Sequence, residues 1–584
     1  MQNFSRFFRE FRVPKRNEME QALRSFSKTQ WLVWYIFFVI FTGSTLLLLQ
    51  HINNNFMVPI PSDEGTIVEG VVGTPRFVNP LLAVSDSEKD LAALVYSGLM
   101  RKSGDGELIP DLAESYTISN DGLTYTFILR SNATFHDNTP VTADDIIYTI
   151  SMAKDPLLKS PKKLNWEGVL ATKVDDHTIT FTLKQPFASF LENTTLGILP
   201  SHIWKNVPVE EFNFSDFNVK AIGSGPYEIS KITKKSSGIP DSYEFVPFKN
   251  FTLGRPHILH FTIKFYPNEG DLLKGYRNGE VDQIDAVTGS EARALEDDGY
   301  NVETTVLPRI FALFFNQSQS TIFTDKNVVK AFTMAIDKSQ IVTTALSGYG
   351  VAIDSPVPKN ILGAAADTTD STITPATTST EEANTLLDKA GWKVGADGIR
   401  QKTDAKKKVV RLAFSLATGD TPELKQSAEL IKADLEKVGA QVDLKVFGIG
   451  DLNQNVIRPR KYDALFFGEI VNHESDLFAF WHSSQRTDPG LNIALYTNAK
   501  ADKLLESAGD TINPDTRKEK YAQFENIIRQ DMPAIFIYSP KLVYVTTPQL
   551  NGLDISHVSI QSERFSDIYK WYVQTDRVWK IFAH

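Results

Sequence analysis

The sequence predicts a mixed α/β protein held on one N-terminal membrane helix. Three observations carry this. From residue 66 onward, strand signals and helix signals interleave along the chain. The 584 residues exceed what one hydrophobic core organises, so the chain should divide into domains. Residues 31–49 form a run of 19 residues without a charge. At about 1.5 Å per residue that run spans about 29 Å, roughly a hydrocarbon core.

The N-terminal element comes first. Arg6, Arg9, Arg12, Lys15, Arg16, Arg24 and Lys28 precede the apolar run, and no Lys or Arg follows it until Arg76. The positive-inside rule therefore places residues 1–30 in the cytoplasm and everything after 50 outside. The run is longer than a usual signal-peptide core, and residues 49–52 lack a small-residue cleavage pattern. An uncleaved anchor over residues 31–50 is expected. Ahead of it, Phe4, Phe7, Phe8 and Phe11 fall at helical spacing with arginines between them. Two readings remain open there: a short amphipathic helix on the inner membrane face, or a basic tail that only sets topology. Residues 51–65, polar and then Val-Pro-Ile-Pro, read as a stiffened spacer.

Residues 67–73 read as the first strand. The run 112–150 is the most informative in the chain. Asn120-Asp121-Gly122 signals a tight turn, because these residues tolerate positive φ. Residues 125–130 then alternate as a half-buried strand does. Thr142-Ala-Asp-Asp145 reads as a capping box, with acids at the positive end of a helix dipole. Ile146, Ile147 and Ile150 follow at helical spacing. Residues 302–316 end in an alternating aromatic run, and Val329, Phe332, Ile336 and Ile341 give residues 328–349 amphipathic helical packing. Residues 364–383 are Thr- and Ala-rich and read as an exposed loop before a helix over 382–390. A helix over 424–438 leads through Gly439 to a strand over 441–446, and residues 535–545 read as a further strand.

Composition excludes several classes. A net charge of −10 with no basic patch argues against nucleic-acid binding. The absence of cysteine removes disulfides, thiolate metal sites and a cysteine nucleophile together. No HExxH, Walker A, G-x-G-x-x-G or G-x-S-x-G motif is present. Ser160-x-x-Lys163 lacks the companion motifs of a serine–lysine enzyme, and His136-Asp137 reads better as a structural turn than as a metal or dyad site. No enzyme and no cofactor is expected.

The run from Leu112 resembles the signature of the peptide-type, family 5 solute-binding proteins of ABC importers. Asp111-Leu-Ala-Glu-Ser115, Asp121-Gly122, Thr124-Tyr-Thr-Phe127, Phe135-His-Asp137 and Thr142-Ala-Asp-Asp145 match it almost residue by residue. Asn138 stands where that family usually has glycine, so it must bear the turn's conformation. Asn79-Pro80, Tyr96-Ser-Gly-Leu99, Gly223-Ser-Gly-Pro-Tyr227 and the 328–349 helices resemble further family segments. The resemblance implies a two-lobed periplasmic-binding-protein-like fold of the large peptide-binding type. It places the first lobe with its extra subdomain at 66–305, the second lobe at 306–540 and a return to the first lobe over 541–584, which includes Trp571, Tyr572 and Trp579. It also implies capture of oligopeptides by hinge closure, and delivery to an ABC permease and its ATPase subunits. Nickel chelates, oligosaccharides or haem as ligand, and a tethered sensor or scaffold without transport, are the alternatives. The missing cysteine also removes the lipid tether common in that family, which leaves residues 31–50 as the attachment.

In such a binder, main-chain hydrogen bonds hold the peptide and a buried charged terminus needs a partner. Residues 462–484 resemble the segment that carries it. The family aspartate that anchors a ligand amine falls on Val471 or Asn472 here, so the acid is absent and Glu469 is its candidate replacement. Asp476 and Glu474 occupy the family's acidic positions, where they either face ligand or cap the following helix. Trp481 either lines a pocket or packs that helix. Tyr96, Phe315 and Asn316 are placed near the cleft by the resemblance alone. Arg458 and Arg460 read as a solvated loop more readily than as a carboxylate site, and Asn492, Tyr496 and Asn498 as structural.

Overall fold

The computed structural model describes residues 16–187, 189–285, 287–358, 378–404, 407–471 and 473–582. The Phe4–Phe11 pattern, most of the Thr-rich loop and Asn472 lie outside the described residues. The chain forms two compact units. One joins the N-terminal segment up to Ser62 to the C-terminal segment from Gln574, and the other is Asp63–Val573.

In the first unit, the helix Lys28–Phe56 opens on a capping box between Ser27 and Gln30. Its stretch Lys28–Asn53 has a mean hydropathy of 2.2, and by length and composition it is apolar enough to cross a membrane. The expected spacer is instead structured. The helix continues to Phe56, and Met57–Pro61 pairs antiparallel with Thr575–Trp579. The Trp579 indole N–H donates to Asn53 Oδ1 at 2.8 Å. The expected return of 541–584 to the first lobe therefore ends at Val573, because residues 575–579 pair with the strand that follows the helix Lys28–Phe56. Removal of residues 574–584 is expected to expose that edge and speed proteolysis between residues 57 and 65 several-fold. Limited digestion of both chains checks this; equal rates would show that the pairing is not held in solution.

The second unit is built on one twelve-stranded sheet. In the first lobe, Thr66–Val72 lies parallel to His260–Tyr266 and Gln283–Asp285. Tyr227–Lys234 and Pro240–Pro247 extend that edge as an antiparallel pair. A four-stranded subdomain stands apart, with Ala113–Ile118 and Thr124–Leu129 turning at Gly122, whose φ is +68°. Its helix Ala143–Lys154 buries Ile146 and Ile150, while the Asp145 carboxylate accepts from the Thr142 N–H at 2.8 Å and the Ser201 N–H at 2.8 Å. Asn138 does take the left-handed conformation, at φ +66°. At Gly225 an added Cβ would lie 2.6 Å from the Leu94 carbonyl oxygen, which explains the glycine ahead of Tyr227.

The chain enters the second lobe through Asn301–Val306 and Arg309–Phe315 and leaves by the single strand Ala534–Thr546. The first half of that strand pairs with Arg309–Phe315, and the second half with Asn301–Val306. The chain therefore crosses between the lobes twice, once in each direction, an arrangement suited to a hinge. Arg309–Phe315 also pairs with Ala464–Ile470, next to the parallel strands Ala413–Gly419 and Gln441–Phe447 joined by the helix Pro422–Lys437. Alternate residues of this sheet feed two cores. Phe466, Leu313 and Phe315 face one; Leu465, Phe314 and Trp481 face the other.

Candidate functional site

The cleft is defined by what the two lobes bring together opposite the hinge. His473, just after the strand Ala464–Ile470, is ion-paired with Glu192 of the first lobe. Ile512 of the second lobe packs on Gly122 of the first, where an added Cβ would lie 2.5 Å from its Cδ1. A cavity of about 700 Å³ opens between these parts, lined by Lys162, Phe187, Phe190, Glu192, His473 and Asp476 among others.

Glu469 lies at the hinge end of its strand, paired in register with Ile310. It is 4% exposed, and neither carboxylate oxygen has a hydrogen-bond partner among the described residues. Burial pushes its pKa well above the usual carboxylate range. Strand alternation directs it to the sheet face that carries Ile310, Leu465, Val471 and Trp481. Trp481 itself is fully buried against Phe314, Tyr496 and Phe536, and its indole N–H also lacks a partner among the described residues. Tyr96 is buried on the first lobe, its hydroxyl has no partner among the described residues, and that burial raises its pKa.

The other expected residues have structural duties. Phe315 stacks on Phe323 with ring centroids 4.4 Å apart inside the core, away from the cavity. Asn316 donates to the Arg460 carbonyl at 2.9 Å and accepts from the Ser318 and Gln319 N–H groups, closing the turn after its strand. Asp476 lines the cavity and also accepts from the His473 N–H at 3.0 Å, so both of its readings keep support. Glu474 is ion-paired with Arg517 and is not free for a ligand. Arg460 is spent on the carbonyls of Ile457, Arg486 and Gly490. Asn492 holds the carbonyls of Trp481, His482 and Tyr496. The Ser160 hydroxyl donates to the Leu81 carbonyl, and the His136 ring bridges Gly223 and Gly225.

Two charged groups escaped the sequence reading. Arg309 opens the second lobe directly after the crossover, and its Nε lacks a partner among the described residues. Lys162 lines the cavity and forms no ion pair among the described residues. Nothing in their local sequence marks them, because the surroundings of each charge are set by folding.

Residues 107–490 match the model of the bacterial extracellular solute-binding proteins, family 5. The chain belongs to that family. As a family 5 protein it is an extracytoplasmic binding component of an ABC importer, working with a permease and ATPase, and not an enzyme. It is 27% identical over 506 residues to the oligopeptide-binding protein AppA of Bacillus subtilis, covering 84% of this chain and 89% of that one. The structure of that AppA in complex with a nonapeptide superposes with a TM-score of 0.64 at 25% identity, over 88% of this chain and 100% of the other. NikZ of Campylobacter jejuni in complex with Ni(L-His) is equally similar, at 25% identity and a TM-score of 0.66, with the same coverage of each chain. Family 5 architecture thus accounts for the two crossover strands and the cleft between the lobes.

Proposed function

We propose that this family 5 protein captures oligopeptides while anchored to the membrane by residues 31–50, with its N-terminus cytoplasmic and its lobes outside. Glu469 carries the reading. A carboxylate buried without a partner is costly unless a cation arrives, and a peptide ammonium is such a cation. Main-chain hydrogen bonding to the cleft supplies affinity without selecting side chains. The anchor keeps the loaded protein close to its permease, which raises the effective concentration of the encounter.

Native mass spectrometry of the full chain in detergent micelles, followed by identification of the released solute, tests this. A ladder of short peptides supports it. A single non-peptide mass, such as a nickel chelate or haem, keeps the fold and overturns the ligand. A protein that releases nothing and is not stabilised by a peptide pool points to a sensor or scaffold.

Closure is open to a separate check. Ile512→Glu puts a charge against Gly122 and should disfavour the closed form, weakening peptide affinity about five- to tenfold without touching the ligand. Calorimetric titration reads this; unchanged affinity would remove the 122–512 contact from the closing mechanism.

A further inference from the structure

The pairing of Met57–Pro61 with Thr575–Trp579 is a sheet of two strands, and no third strand joins it among the described residues. Such a sheet is marginal in water and needs cover on an apolar face. Apolar surface lies beside it. Trp579 is 45% exposed and Ile581 71%, and Ile52 and Phe56, in the last turns of the helix Lys28–Phe56, are exposed as well. The register sets Trp579 opposite Met57, and the indole bond to Asn53 ties it to the helix. At the far end of the pair, the Ser62 N–H donates to the Gln574 carbonyl at 3.0 Å.

Depth decides what covers this surface. Asn53 lies four residues beyond Leu49, where the apolar run ends, and so about 6 Å further along the helix. Lipid headgroups flank the hydrocarbon core by about 5–8 Å on each side. Trp579 therefore sits at headgroup level, where tryptophan collects because its ring is apolar and its N–H polar. The inner end of the helix has its own interfacial aromatics, Trp31, Trp34 and Tyr35, in ring contact with one another. Its outer part, residues 36–56, holds no Trp, Tyr, Lys or Arg. The C-terminal segment supplies the missing types, as Trp579 with the exposed Arg577 and Lys580. Strand alternation puts Arg577 on the face of Trp579 and Asp576 on the other.

We propose that residues 575–581 form a second membrane contact, seated in the outer headgroup layer against the emerging helix. Trp579 is its interfacial anchor, and Arg577 and Lys580 meet lipid phosphate. The contact sets the tilt and rotation of the membrane helix from its outer end. This rests on the anchor over residues 31–50.

The chain has no cysteine, so a single introduced one can carry a polarity-sensitive fluorophore. The full chain is labelled at Ile581→Cys or, separately, at Ile40→Cys in mid-span. It is reconstituted in vesicles of phosphatidylcholine with about one-third phosphatidylglycerol, part of the lipid carrying a quencher at headgroup depth or at the chain end. The label at 581 should be quenched about twofold or more by the headgroup quencher and little by the deep one. The label at 40 should show the reverse. Adding Trp579→Ser should remove most of the quenching at 581 and leave that at 40 unchanged. Arg577→Gln with Lys580→Gln, which keeps the indole, should remove part of it. Quenching at 40 with none at 581 would overturn the contact and keep the anchor. A label at 581 that reports apolar surroundings yet is not quenched by lipid would overturn it too, and assign the surface to a second copy of the chain. Quenching at 581 that survives both sets of substitutions would also overturn it. No quenching at 40 removes the anchor, and the contact with it.

Discussion

Arg564→Met is expected to cost about 3–5 kcal/mol of stability at pH 7.5, a large part of the about 5–15 kcal/mol that holds most domains. The Arg564 guanidinium is fully buried and donates to Glu69 at 2.9 and 2.6 Å and to Asp90 at 2.9 and 2.7 Å. Asp285 lies 3.0 Å away and accepts from Gln561 at 2.5 Å, while Tyr544 donates to Glu69 at 2.9 Å. This one side chain joins the first strand, the helix Asp86–Val95, the strand Gln283–Asp285 and the returning C-terminal segment. Without it, three carboxylates remain in an apolar interior.

The loss should shrink on acidification. Burial raises all three acids despite the arginine, Asp90 to about 7 and Asp285 to about 6. Their unfolded values are ordinary, about 4. The folded state therefore binds more protons through this window, and the associated stability is present below about pH 4 and lost as pH rises through 6 and 7. Urea midpoints should rise from pH 7.5 to 5.5 in wild type and rise more steeply in Arg564→Met, whose acids have lost their counter-ion. A deficit that is the same at both pH values would show that lost packing, and not charge, is the cause.

Glu469→Gln is expected to weaken binding of free-amine peptides about tenfold or more while stabilising the empty protein by about 1–2 kcal/mol. The two effects share one origin. Glu469 has a raised pKa where it is buried in the folded protein, so its contribution to stability falls as pH rises, and glutamine removes that penalty. A ligand ammonium needs the ionised form, so binding below the raised pKa must release a proton. Affinity for free-amine peptides should therefore increase with pH, and that for N-acetylated peptides should not. Calorimetry in buffers of different ionisation enthalpy measures the proton directly. Glu474→Gln is the control: it breaks the pair with Arg517 and should cost stability with little change in affinity. If Glu469→Gln bound free and acetylated peptides as wild type does, the carboxylate would have no part in recognition.

What could be read from the chain was whatever neighbours in sequence settle between themselves. The turn at Gly122, the Thr142–Asp145 box, the positive φ of Asn138 and the helix Pro422–Lys437 each follow from a few adjacent residues. The apolar run at 31–49 is of the same kind. Glu469 could be named because the surrounding motif left a gap where an acid was due. The packing of Phe315 and Asn316 was not legible, because resemblance gives position along the chain but not which face a side chain takes. Phe315 points into the core and Asn316 closes a turn.

The sequence by itself determined the periodicity, the caps, the turns, the family and the membrane-length helix, because these arise from local sterics and hydrogen bonds. Only the tertiary structure decided the rest. Arg564 meets a glutamate 495 residues away, and Met57–Pro61 pairs with Thr575–Trp579. Burial sets the strength of a charge and folding sets its neighbours, and neither has a period that a linear pattern can carry.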